Sequence, residues 1–168
     1  MGNFKGVFLL LLLLSLAFAG ELKVYSIVKG RVLKVHVREG QKVKKGQLLI
    51  EIDPSLYLAE KERLLGKKKE IEARLWKVER DYNRLKELFD RDLLAESTFE
   101  NKKIEYDTLK AQLQQVEGEI RKVETLISYT KITSPVDGRV FRILTPEGSY
   151  TNGELQPQPV LLLRPTGR

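Results

Sequence analysis

The sequence repeats itself, and the two copies are held apart by a long stretch written in a different pattern. Residues 30–40 read GRVLKVHVREG and residues 138–148 read GRVFRILTPEG. Gly, Arg, Val, Glu and Gly recur at identical offsets, with Leu/Phe, Lys/Arg and Val/Ile matching conservatively between them. Each copy runs on into a glycine-marked turn and a leucine, GQKVKKGQLL after the first and GSYTNGEL after the second. Self-similar segments of this kind are copies of one supersecondary unit. The alternation of Leu33, Val35 and Val37 with Lys34 and His36 predicts a half-buried strand, and Leu48, Ile50 and Ile52 against Leu49, Glu51 and Asp53 predict another. Gly40 and Gly46, then Gly148 and Gly153, punctuate the turns. Neither half is large enough to bury a core alone, so the two are expected to pack as one small β-sandwich.

The stretch between them keeps a seven-residue period. Tyr57, Leu64, Ile71, Val78 and Leu85 fall seven apart, with Leu75, Tyr82 and Phe89 interleaved. Phe99, Tyr106, Leu113, Ile120 and Ile127 do the same, interleaved by Leu109, Val116 and Val123. Sustained heptads of this kind are the signature of coiled-coil packing. The first arm, 55–89, extends ~52 Å at ~1.5 Å per residue. Residues 90–97 break the period, so the arms are expected to fold back as an antiparallel hairpin with its tip there. Ser97 with Glu100 reads as a capping box for the second arm. Lys61, Lys68 and Lys102 stand at seam positions, either snorkelling and setting register or reaching a neighbouring copy. Gly66 and Gly118 inside the arms suggest a local bend or close packing. The fold class is therefore α+β: a small sandwich, lipoyl- or biotinyl-like in its split, interrupted by a long α-helical coiled-coil hairpin. The expected divisions are 1–19, 20–54, 55–128 and 129–168.

Composition narrows the chemistry. The chain has no cysteine, which excludes disulfides, thiolate metal sites and cysteine nucleophiles. Its one histidine, His36, supports neither a His-based zinc site nor an ordinary Ser-His-Asp triad and reads as an exposed strand residue. Asp53, Asp137 and Glu147 fall at turns, where carboxylates commonly serve local hydrogen bonds. No catalytic, cofactor or metal constellation is expected. Residues 1–19 carry Lys5, an apolar run from 7 to 19 and Ala17-Phe18-Ala19, the pattern of a cleaved secretory signal that sends the chain to the periplasm or cell envelope. An uncleaved membrane anchor is the alternative. The formal charge is +7, but residues 55–128 balance 16 basic against 16 acidic side chains, so the excess lies in the flanks. Such flanks suit a membrane surface or an acidic partner; nucleic acid is not expected, since the basic parts lack interleaved aromatics.

The pieces VKGRVLKVHVREGQKVKKGQLLIEID (28–53) and TKITSPVDGRVFRILTPEGS (130–149), with the hairpin between, resemble the HlyD-type periplasmic adaptors, or membrane fusion proteins, of bacterial export and efflux systems. The resemblance implies two halves of a lipoyl-like domain and a ring-forming homo-oligomer, commonly hexameric, that bridges an inner-membrane transporter and an outer-membrane channel. The hairpin tip would dock on the channel. Many members carry at the tip an Arg, a Leu four residues later and a Ser seven after that. Here DYNRLKELFDRDLLAES places Arg84, Leu88 and Ala95 at those positions, with Ser97 two residues beyond the third. The resemblance does not extend to the β-barrel and membrane-proximal domain of typical members, which leaves a minimal adaptor, a fragment relying on a second chain and a shortened product as open alternatives. Two rivals stand beside the adaptor reading. A biotin or lipoyl carrier needs a modified lysine at the turn joining the halves, where the hairpin is inserted. A non-transport envelope tether or spacer would need the hairpin but no ring.

Overall fold

The structure, a computed structural model, describes residues 20–166; the segment read as a secretory signal lies outside the described residues. The chain forms two compact units, the hairpin Pro54–Ser128 and a β unit made from the residues on either side of it. The β unit holds eight strands: β1 (Leu22–Ser26), β2 (Lys29–Val35), β3 (Lys42–Val43), β4 (Leu48–Ile52), β5 (Lys131–Thr133), β6 (Gly138–Ile143), β7 (Tyr150–Asn152) and β8 (Gln158–Pro165). They form two four-stranded sheets, ordered β1-β8-β6-β3 and β5-β4-β2-β7, with every neighbouring pair antiparallel.

The halves do not each make a sheet. Each contributes two strands to both, and exchanging β1 for β5, β2 for β6, β3 for β7 and β4 for β8 converts one sheet order into the other. Hydrogen bonds follow this pseudo-twofold relation. The Gly40 N–H donates to Val140 O at 2.7 Å, and the Gly148 N–H donates to Val32 O at 2.9 Å. The Val140 N–H reaches Gln41 O at 2.9 Å, and the Val32 N–H reaches Ser149 O at 2.8 Å. Gly40 and Gly148 hold φ of 84° and 82°, a region that side chains disfavour, which explains their recurrence. The recurring glutamates also act across the halves. Glu39 accepts the Ile143 N–H at 3.0 Å, and Glu147 accepts the Val35 N–H at 2.8 Å. The local role expected for Glu147 is thus replaced by a bond to the other half. Asp137 behaves alike, accepting the Lys45 N–H at 2.7 Å.

The core is aliphatic and shared by both sheets. Val32, Leu49, Ile50 and Ile52 from one sheet, and Val140, Val160, Leu161 and Leu163 from the other, are each no more than 1% exposed. Full burial of such a side chain contributes roughly 1.5–3 kcal/mol. The strand phases differ from those expected. Leu33 is 51% exposed, because the register shifts between Val32 and Lys34 and turns the inward series to Val32 and then Val37. A second shift between Leu48 and Ile50 lets Leu49 and Ile50 both face the core. Such bulges oppose two residues to one and reverse the alternation beyond them. Leu155, aligned in sequence with the leucine that opens β4, is instead 86% exposed in the turn before β8.

The hairpin unit consists of α1 (Ser55–Phe89) and α2 (Glu96–Tyr129). Tyr57, Leu64, Ile71 and Val78 are buried on α1, and Leu109, Val116, Ile120 and Val123 on α2. The remaining heptad residues named above are half-buried. Two seam lysines are taken up across the hairpin: Lys61 reaches Glu124 at 2.7 Å and Lys68 reaches Glu117 at 2.8 Å. Lys102 pairs along its own helix with Glu105. The hydrogen bond between Lys68 and Glu117 raises the lysine pKa and lowers that of the carboxyl. These pairs hold the seam in one register, since a slip by one turn would separate both cross-helix partners. Gly66 and Gly118 serve neither close packing nor contact: an added Cβ would meet nothing within 4 Å at Gly66, and only the end of Arg121 at 3.8 Å at Gly118. The hairpin leaves the β unit after β4 and returns at β5, which are paired neighbours, so the insertion interrupts the chain without interrupting the sheet.

Candidate docking site

The tip of the hairpin is braced from inside by four stacked rings taken alternately from the two helices. Tyr106 and Tyr82 stack with centroids 4.8 Å apart, Tyr82 and Phe99 at 5.6 Å, and Phe99 and Phe89 at 4.7 Å. Each such pair contributes about 0.5–1.5 kcal/mol beyond its buried area. The Tyr106 hydroxyl donates to Glu79 at 3.2 Å and ties the same pair of helices from the outside. These rings are the distal heptad residues of both arms, so the period that forms the seam also stiffens its end.

The turn itself is short. The Leu93 N–H donates to Leu88 O at 2.9 Å and the Asp92 N–H to Phe89 O at 2.9 Å, the two bonds of a Schellman motif that ends α1. Asp92 takes the left-handed position with φ 57°, which aspartate tolerates better than most side chains. Lys86 pairs with Asp90 at 2.8 Å, and that hydrogen bond raises the lysine pKa. The Ala95 carbonyl accepts the N–H of Thr98 at 3.0 Å and of Phe99 at 3.3 Å, so α2 starts at Glu96 and Ala95 is its N-cap. Ser97 is therefore inside the helix and does not cap it. The helix starts two residues before the expected cap, because the chain turns in fewer residues than the broken heptad suggested, and with Ala95 at the N-cap and Thr98 at the third helical position no capping box forms.

Arg84 and Leu88 stand one turn apart on the same face of α1. The Arg84 guanidinium pairs with Asp81 at 3.3 Å, with its side chain 72% exposed. Leu88 is 36% exposed, and Ala95 is exposed across the turn at the start of α2. No hydrogen bond joins Ala95 to either of the other two. Leu93, which the sequence reading did not single out, presents more apolar surface than any of them at 67% exposed. Its signal was available: an apolar residue inside the heptad break, at neither seam position. A rigid end that shows leucine side chains and a cation to solvent is equipped to bind a protein surface. Among the described residues no group of three His, Asp or Glu side chains is placed to hold a metal ion.

Alanine is a poor N-cap, because it offers no side-chain acceptor to the first N–H groups of the helix. Ala95→Ser supplies one, at the position where the resemblance calls for serine. It is expected to stabilise the hairpin by about 1 kcal/mol, read as a raised midpoint in denaturant melting followed by helical circular dichroism.

An eight-stranded sandwich with pseudo-twofold halves, split by a coiled-coil hairpin, defines a membrane-fusion-protein class of fold. The family model described as "RND MFP, barrel-sandwich hybrid domain" matches residues 21–162, and the chain belongs to that family. Among known proteins it is similar to the multidrug resistance protein MdtA of Pantoea ananatis, at 31% identity over 137 residues, covering 81% of this chain and 33% of that protein. MdtA of Escherichia coli is 29% identical over 126 residues, covering 75% and 30%. The chain thus spans about a third of the length of the curated relatives it matches. Among solved structures, MacA from Actinobacillus actinomycetemcomitans superposes with a TM-score of 0.72 at 29% identity, over 85% of this chain and 48% of that one. ZneB from Cupriavidus metallidurans shares the fold with a TM-score of 0.63 at 21% identity, over 87% and 61%. The α+β architecture and the membrane-fusion family, both indicated by the repeat and the heptads, are the ones found.

Proposed function

We propose that this chain is an adaptor subunit of a bacterial efflux or export system. It works in the periplasm or cell envelope after removal of residues 1–19. It binds and does not catalyse: copies assemble into a ring, an inner-membrane transporter supplies the energy, and the hairpin tips engage an outer-membrane channel. The observation that carries the reading is the braced tip with Arg84, Leu88 and Leu93 outward, on a chain whose family is that of the membrane fusion proteins. The relatives named as multidrug resistance proteins support efflux as the process. No helix among the described residues is long and apolar enough to cross a membrane.

Ring assembly is supported by a second apolar line on α1. Leu58, Leu65 and Trp76 are 50%, 40% and 64% exposed. Leu58 and Trp76 are separated by five full helical turns at ~3.6 residues per turn, so they lie along one line outside the seam. Arg80 covers the Trp76 ring at 4.7 Å. The seam does not use this surface, and a neighbouring copy would bury it.

Light scattering of the processed chain over a concentration range tests the assembly. The expected result is a discrete ring, a hexamer or similar, and a shift towards monomer on Trp76→Glu. A monomer at every concentration, for both forms, would favour an envelope tether instead.

A further inference from the structure

The outer face of the β1-β8-β6-β3 sheet gathers basic side chains in rows. Lys42 on β3 is paired with Arg139 on β6, and Arg139 with Arg164 on β8. Residues directly paired on neighbouring strands point to the same side of the sheet, with Cβ atoms about 5 Å apart. Val43, Val140 and Leu163 fill the core, so by alternation Lys42, Arg139 and Arg164 face outward, and all three are exposed. A second row lies beside the first: Lys23 on β1 is paired with Leu162, and Leu162 with Arg142. Lys23 and Arg142 are exposed, with Leu162 half-buried between them.

Like charges placed directly opposite one another cost stability. The compensation here is small. Glu21 lies 3.4 Å from Arg164, Arg139 donates to the Gly40 carbonyl, and Arg164 covers the Phe141 ring at 3.7 Å. Glu39 and Asp137, near the ends of β6, are taken up by backbone N–H groups. No carboxylate among the described residues forms an ion pair with Lys23, Lys42 or Arg142. The other sheet differs, since Lys29 pairs with Glu154 at 3.0 Å, and Lys34 and Lys131 both flank Glu51.

We propose that this basic face binds the surface of an anionic phospholipid membrane. Five cations spread over four strands, with one carboxylate beside them, match a diffuse anionic surface better than a discrete ligand. Half-buried Leu162 and Phe141 supply an apolar floor among the cations, with the Arg164 and Arg142 guanidinium carbons 3.7 and 6.0 Å from the centre of the Phe141 ring. Tyr25, between buried Val24 and Ser26 on β1, points outward on the same face and is 45% exposed, and tyrosine rings sit well at headgroup level. A protein anchor would instead need an open aromatic pocket at the centre, and there Phe141 is roofed by Arg164. The proposal rests on the envelope location given above, and it is tested without transporter or channel, so either reading can fail alone.

The test is co-sedimentation of the processed chain, residues 20–168, with phosphatidylcholine vesicles made with and without phosphatidylglycerol. Binding is expected only to the anionic vesicles and is expected to be lost at high salt. Lys42→Glu with Arg142→Glu should weaken it about a hundredfold or more, from roughly fivefold per charge near the surface. Lys34→Glu with Lys131→Glu, the same change in net charge on the other sheet, should leave it unaltered. Absence of binding to anionic vesicles would overturn the proposal and leave an acidic protein as the partner. Equal losses from both pairs of changes would also overturn it, because net charge and not this face would then be responsible.

Discussion

Gly153→Ala is expected to destabilise the β unit by about 3 kcal/mol, at the upper end of overpacking costs. A Cβ at that position would stand 2.2 Å from Ser26 O, 2.6 Å from Ser26 C and 2.8 Å from Ile27 Cα. These are backbone atoms and cannot rotate away as a side chain would. They are also fixed by function in the fold, since the Gly153 N–H donates to Val28 O at 3.0 Å and Ser26 is 1% exposed. The chain must open this contact between the turn after β7 and the end of β1, and small domains have only about 5–15 kcal/mol to lose. Scanning calorimetry should show the midpoint lowered by roughly 10 °C or more, at ~4–8 °C per kcal/mol for a domain of this size. The same substitution at Gly66, where a Cβ meets nothing within 4 Å, should act in the opposite direction by about 1 kcal/mol. A neutral Gly153→Ala would mean that the two halves of the sandwich are not seated as described.

The second large effect is functional. Arg84→Glu combined with Leu88→Asp should abolish export while the hairpin stays folded. Neither side chain belongs to the seam, and the rings that brace the tip remain in place. Helical circular dichroism should therefore change little. Loss of an apolar contact and reversal of a charge at an interface hot spot each cost about 2 kcal/mol or more, so affinity should fall at least a hundredfold. Export that survives the double change, at normal protein levels, would remove the tip as the docking element.

The hairpin was readable in the sequence because its seam depends on one number. Heptad spacing puts Tyr57 through Phe89, and Phe99 through Ile127, on one face whatever the partner is, and each of these positions is buried or half-buried. Strands carry less information of their own. Leu33 obeys the alternation yet faces outward, because a bulge opposite β4 decides the phase, and a bulge is a property of two strands together. The copy of that bulge at Phe141 confirms that the repeat encodes it, although neither strand shows it alone. The recurring glutamates were visible as a pattern but not as a mechanism, since their N–H partners lie in the opposite half. At the tip, Arg84 and Leu88 were reached through family resemblance, whereas Leu93, apolar but at neither seam position in the heptad break, shows its exposure only in the Schellman turn that holds it. Ser97 was misplaced as a cap because the turn is tighter than the heptad break that signals it.

The central claim is that the hairpin tip meets an outer-membrane channel, and photo-cross-linking in intact cells tests it most directly. A cross-linking side chain at Leu93 should give an adduct with an outer-membrane protein, and the same group at Gly66 should not. The adduct should disappear with Arg84→Glu and Leu88→Asp. Absence of any outer-membrane adduct from Leu93, in cells where the protein is present and folded, would contradict the account.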